Sequence, residues 1–201
     1  MKLLIKPNPG DLFYIPALNA LDVNGFVLAR YIEFIKPNLG YLIEVFEHFY
    51  TEPPEKKSDV DISERLFKPI FCSMRFSDIP KWKILFSDPS YDKSKSGYER
   101  ISFAFDSSIW IGGVSKKATS EQLINIEPSI CWRMEHIVFR TIAHLKGLIP
   151  KNGIMDYHQL PVEYRIGNEI AKKRVQEISA IMNDKFNYSI ILYSYMMPFL
   201  N

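Results

Sequence analysis

Two runs of β-branched and aromatic residues, Gly25 to Phe34 (GFVLARYIEF) and Tyr41 to Phe49 (YLIEVFEHF), flank Ile35-Lys36-Pro37-Asn38-Leu39-Gly40. Runs of this composition favour strands, and the Pro-Asn-Leu-Gly stretch is turn chemistry, so the pair predicts a β-hairpin with a loop longer than two residues. In the second run Ile43, Val45 and Phe49 share the core-facing parity, and Glu44, Glu47 and His48 break the alternation.

The rest of the first half supplies strands. Asp11 to Ile15 alternates loosely and meets Pro16, which predicts a stop. Pro9-Gly10-Asp11 just before it reads as a turn: Gly10 frees the backbone and Asp11 can accept from it. Leu66 to Arg75, with Pro69 marking an edge or bend, then Trp82 to Phe86, Arg100 to Phe105 and Ile109 to Val114 continue the pattern. Gly112-Gly113 ends the last of these or makes a bulge. Residues 51 to 64 (TEPPEKKSDVDISE) and 87 to 97 (SDPSYDKSKSG) read as polar surface loops.

The second half changes period. Pro128 to Lys146 predicts a helix with proline at its first position and Gly147 past its end. Ile130, Met134, Ile137, Val138, Ile142 and Leu145 form one apolar stripe, and Trp132 and Phe139 fall on the other side, so the helix is expected to pack on two faces. Pro161 to Met182 predicts a second, amphipathic helix, ended by Asn183-Asp184. Its stripe is Tyr164, Ala171, Val175, Ile178 and Met182, with Glu169, Lys173 and Glu177 as a charged ladder. Phe186 to Met197 then predicts a strand returning to the sheet. The expected fold is α+β: a strand-rich half over residues 1–115, as an antiparallel meander or small barrel-like sheet, packed with a helical half over 119–201. The two halves share one core, making residues 1–201 a single domain.

Charge and composition narrow the functions. The chain of 201 residues carries a net charge of +2 with signs alternating throughout, and no quarter of it has a strong bias. That argues against a dedicated phosphate-binding surface, and makes nucleic acid an unfavoured partner. The opening MKLLIKPNPG lacks the apolar length of a secretory signal, no window has the length of a spanning helix, and the expectation is a cytoplasmic protein without membrane partners. Cys72 and Cys131 read as two buried free thiols.

Enzyme templates do not fit. Gly112-Gly113-Val114-Ser115-Lys116 lacks the first glycine of a phosphate loop, and no G-x-S-x-G, Cys-x-x-Cys or His-Glu-x-x-His occurs. Asp156-Tyr157-His158 offers two metal ligands without a third, and the acidic loop after Asp88 lacks calcium-loop spacing. No cofactor and no metal is expected. One constellation remains: Arg133, His136, Arg140 and His144 recur at spacings of three and four beside Trp132 and Phe139. Such a cationic row could meet an acidic partner, which makes Arg133, His136 and Arg140 the candidate partner-binding residues. The competing reading is a solvated helix edge.

Taken in order, Gly10-Asp11 with Phe13-x-Ile15-Pro16, the strand Gly25-Phe26-Val27-Leu28-Ala29-Arg30, Leu66-Phe67-x-Pro69-Ile70-Phe71 and Lys81-Trp82-Lys83-Ile84 resemble the immunity protein 26 family, cytoplasmic antidotes of bacterial polymorphic toxin systems. The resemblance covers roughly residues 7 to 86. It departs at Leu28-Ala29-Arg30, where the family pattern has a glycine before the arginine. It implies a non-enzyme that binds a cognate toxin domain and blocks it, and it transfers no catalytic residue. The alternatives are a nucleic-acid-binding module with aromatic strands, and a small hydrolase with a sheet–helix cleft using Glu135, His136 and Asp156.

Overall fold

The computed structural model describes residues 7–36, 39–74, 82–151 and 168–196, with 153–154, 160, 162 and 165 between the last two; side chains are described through residue 185. The fold is α+β with a strand-rich N-terminal half. Strands β1 (Leu12–Leu18), β2 (Asn24–Ile35), β3 (Gly40–Tyr50) and β4 (Ile70–Cys72) form an antiparallel meander. β5 (Ile84–Phe86) adds to the β1 edge, and β10 (Cys131–Trp132) adds in parallel to β4. The resulting six-stranded sheet has the order β10-β4-β3-β2-β1-β5. A separate four-stranded sheet, β8-β7-β6-β9, is built from β6 (Ser102–Phe105), β7 (Ser108–Ile111), β8 (Val114–Lys117) and β9 (Glu127–Pro128), with the one-turn helix α1 (Ser120–Leu123) joining β8 to β9. The expected strands thus divide between two sheets.

The six-stranded sheet is covered on both faces, which explains why its strands read as near-continuous apolar runs. On one face Phe13, Ile15, Val27, Ile43 and Val45 pack under α2 (Met134–Leu145) and α3 (Glu169–Met196), through Ile137, Val138, Ile142, Val175 and Ile178. On the other face Ile32, Leu42 and Phe71 meet Tyr98, Ile101, Phe103 and Trp110 of the smaller sheet and its approach. Phe71 and Phe103 stack there with centroids 4.1 Å apart. Residues from both halves of the chain therefore share the first cluster.

Four sequence expectations change. Pro16 does not stop β1, which runs on to Leu18. Tyr14 N donates to Lys83 O, on the β5 side. Pro16 has the same parity, so its missing N–H takes nothing from the β1–β2 ladder. Pro128 does not open a helix. Residues 127–132 are extended because neighbouring strands use their backbone: Ser129 N donates to Ala104 O and Trp132 O accepts from Ser73 N. This tertiary pairing outweighs the helical spacing, and α2 begins only at Met134. The returning strand over Phe186 to Met197 is absent, because α3 continues through Met196, and Met197 lies outside the described residues. Asn183 does not cap the helix; its Oδ1 accepts from Tyr14 Oη at 2.5 Å, and no proline or glycine occurs between Asp184 and Met197 to break the turn sequence. At its start, Asn168 Oδ1 accepts from Ile170 N at 2.9 Å as an N-cap; the expected earlier residues Pro161 and Tyr164 lie outside the described residues.

Candidate functional site

The cationic row on α2 is not a surface. Arg140 is fully buried and forms a two-pronged pair with Glu127, Nη1 to Oε1 at 2.5 Å and Nη2 to Oε2 at 3.0 Å. Its guanidinium lies 4.5 Å from the Phe67 ring centre and 4.9 Å from that of Trp132. His136 and His144 are buried too, and burial, helped by the charges of Arg133 and Arg140 respectively, pushes each imidazole down to about 4. Only Arg133 is exposed. The expectation that His136 and Arg140 face a partner is corrected accordingly, while Arg133, at the start of α2, does lie on the surface: the apolar surroundings that helical spacing placed on separate sides close over the rest of the row, because α2 itself is packed on nearly every side. Of the hydrolase candidates, Glu135 is half-buried on α2 and Asp156 lies outside the described residues, as does the Asp156-Tyr157-His158 pair. Cys72 is buried, and burial raises its thiol far above the ordinary range; Cys131, expected to be buried, is exposed on the outer edge strand β10.

The fold assembles a different charged site around Glu44. The β2–β3 register sets Arg30 opposite Glu44, and a bulge on β3 just beyond Val45 lets residues 64–66 pair against it. Glu44 is 2% exposed and both its oxygens are occupied. Oε1 accepts from Arg30 Nη1 at 3.0 Å and from Ser96 Oγ at 2.6 Å; Oε2 accepts from Arg65 Nε at 2.8 Å and Nη2 at 2.5 Å. Arg65 Nη2 also donates to Ser96 O, and Tyr91 Oη shares a 2.7 Å hydrogen bond with Ser96 Oγ. Arg30 is held between the rings of Phe46 and Tyr91, 5.1 and 5.4 Å from their centres.

Gly10 positions this wall. Its φ is +91°, and a Cβ there would lie 2.4 Å from Tyr91 Cβ, so only glycine lets the Tyr91 loop approach β1. Asp11 closes the turn by accepting from Asn8 N through Oδ2 at 2.7 Å. In that loop the carboxylates of Asp88 and Asp92 accept from Ser90 and Ser94, and these hydrogen bonds hold both below the usual carboxylate range, Asp88 at about 2. Among the described residues no group of three His, Cys, Asp or Glu side chains could hold a metal ion.

Above Glu44 opens a cleft of about 660 Å³ between residues 62–69 and residues 95–102. Six cations line it, Arg30, Arg65, Lys68, Lys95, Arg100 and Lys151, against two carboxylates, Glu44 and Glu64. The lining thus nets +4 where the whole chain carries +2, leaving −2 for everything else. The sequence hid this surface because its charges come from five separated segments. The readable trace was the pair Arg30 and Glu44, each interrupting an apolar strand at a cross-strand position.

A second concavity, of about 580 Å³, lies between the far end of the β2–β3 hairpin and the smaller sheet. Phe34, Ile35, Leu39, Tyr98, Phe105 and Trp110 form its apolar lining. Phe34 is 41% exposed, and Glu33 is paired to Lys93, whose Nζ also sits 4.0 Å from the Tyr98 ring centre. Beside it runs β8, one of the two edge strands of the smaller sheet, with all four residues exposed. Among the described residues no helix is long and apolar enough to cross a membrane. No family model matches the chain, and neither a curated protein nor a solved structure matches it.

Proposed function

We propose that the chain is an immunity protein that binds a cognate toxin domain by direct protein–protein contact and neutralises it in the cytoplasm. The observation that carries this reading is the aromatic groove beside an open strand edge. Interfaces concentrate their energy in aromatic anchors within a polar rim, and an edge strand offers a partner strand a row of backbone hydrogen bonds. Lys116 and Lys117 on β8 favour a partner strand of acidic character and guard the edge against self-pairing. The residues of the family resemblance support the same reading through the scaffold: Phe13 stacks on Trp82 at 5.3 Å, Gly10 seats Tyr91, and Arg30 anchors Glu44.

The test is co-expression with the toxic domain encoded beside this gene. Wild-type chain rescues growth and co-purifies with that domain. Phe34→Ser combined with Val114→Glu abolishes both while leaving the thermal melt within about 0.5 kcal/mol of wild type, as surface changes do. A neighbour whose product is neither toxic nor bound by the wild-type chain overturns the proposal.

A further inference from the structure

We propose that the cleft over Glu44 binds a small phosphate-bearing anion, of the size of pyrophosphate or a mononucleotide. Three observations carry this, and none depends on the toxin-binding reading.

The first is unneutralised charge. Glu44 satisfies Arg30 and Arg65 together, so one carboxylate offsets two guanidinium groups. Lys151 is paired with Glu47 and Glu64. Among the described residues Lys68 and Lys95 donate to main-chain carbonyls, of Asn125 and Ser90, and neither forms an ion pair, although Asp92 feels the charge of Lys95. Arg100 is exposed and has no ion pair among the described residues. The surplus therefore sits on Lys68, Lys95, Arg100 and the shared Arg30–Arg65 pair.

The second is preorganisation. Glu44 lies at the bottom with every lone-pair direction in use, and it fixes both guanidinium planes before any ligand arrives. Arg65 keeps its Nη1 donors, and Arg30 its Nη2 donors, without a hydrogen-bond partner among the described residues. A fixed guanidinium fork matches a phosphoryl group, which presents three acceptor oxygens. A lone carboxylate would leave most of the +4 surplus unmet.

The third is size. A cavity of about 660 Å³ falls in the range of small-molecule sites, and Phe46, Ile62 and Ile101 add apolar surface to its lining. A nucleic-acid track would need cations spread along a groove, whereas these converge on one concavity.

The experiment is calorimetric titration of the full chain with inorganic pyrophosphate, with malonate as a dicarboxylate control. Pyrophosphate binds at low salt, at least tenfold tighter than malonate, and weakens several-fold as salt rises through the range that screens exposed charge. Arg100→Gln, an exposed substitution, weakens it about tenfold or more, and Lys95→Gln weakens it further; a circular-dichroism melt verifies that both variants fold. Phe34→Ser leaves pyrophosphate binding intact, so this site and the toxin-binding groove fail separately. Malonate binding as tightly as pyrophosphate, or unchanged affinity in Arg100→Gln, overturns the proposal. So does tight, salt-sensitive binding of single-stranded DNA with no binding of pyrophosphate, which would make the cleft part of a nucleic-acid surface.

Discussion

Two carboxylate–arginine sites in this molecule use the same chemistry to different ends. Glu127 and Arg140 are sealed: both are at most 1% exposed, matched one to one, and closed between Phe67 and Trp132. Glu44 is equally buried, but it serves two arginines, and one of them, Arg65, has a third of its side chain in water. A sealed, charge-matched pair has nothing left to offer a ligand. An open one with surplus donors does. What separates a structural ion pair from a binding site here is therefore stoichiometry and access, not residue type.

The sharpest way to break the comparison is to remove one partner from each. Arg140→Met leaves Glu127 charged and buried, and lowers stability by about 3–5 kcal/mol in urea unfolding. Adding Glu127→Met restores most of the loss. A single-variant cost under about 1 kcal/mol would show that the site is not sealed. At the open site, Glu44→Gln costs about 1–3 kcal/mol: one of the two accepting oxygens becomes an amide NH2 that faces donors, while water replaces part of what half-buried Arg65 loses. The same change removes the central negative charge and tightens pyrophosphate binding several-fold. Weaker binding in Glu44→Gln would instead mean that orienting the guanidinium groups matters more than charge.

The smallest effect concerns acid. His136 and His144 fall from the ordinary 6.5 to about 4 in the folded chain, chiefly through burial and then through Arg133 and Arg140. The neutral form is the folded form. Below about 6.5 the unfolded chain takes up protons that the folded chain refuses, so stability is complete above that value and declines as pH falls toward 4. At pH 5.5 the loss is about 1 kcal/mol per histidine. His144→Leu removes its share, seen as a shallower fall in the urea midpoint between pH 7 and 5.5. An unchanged slope would place the acid sensitivity elsewhere.

The same contrast explains what could be read in advance. The hairpin was legible because its pattern and turn residues agree locally, and β2 and β3 fall within a residue of the expected runs. The α2 row misled because helical spacing gives angles on a cylinder, not what covers each angle; Phe67 and Trp132 come from outside the helix. The Glu44 cleft was half visible. Glu44 stood out as a break in an apolar strand, but Arg65, Lys95 and Arg100 are joined to it only by folding, and no charge count along the chain brings them together. The strand expected over Phe186 to Met197 failed for a related reason: an apolar run with β-branched residues fits either period, and only the uninterrupted backbone of α3 decides.

Residues 127–132 lie on both sheets, β9 on the smaller and β10 on the larger, immediately before α2. This six-residue clasp ties the fates of the two layers by mass action. Neither sheet can come apart without pulling strands from the other, so a ligand held by one adds its binding free energy to the resistance of both. An anion in the cleft and a protein at the β8 edge would each raise the melting point of the whole chain. The melting curve can thus serve as a readout for either ligand, wherever on the molecule it lands.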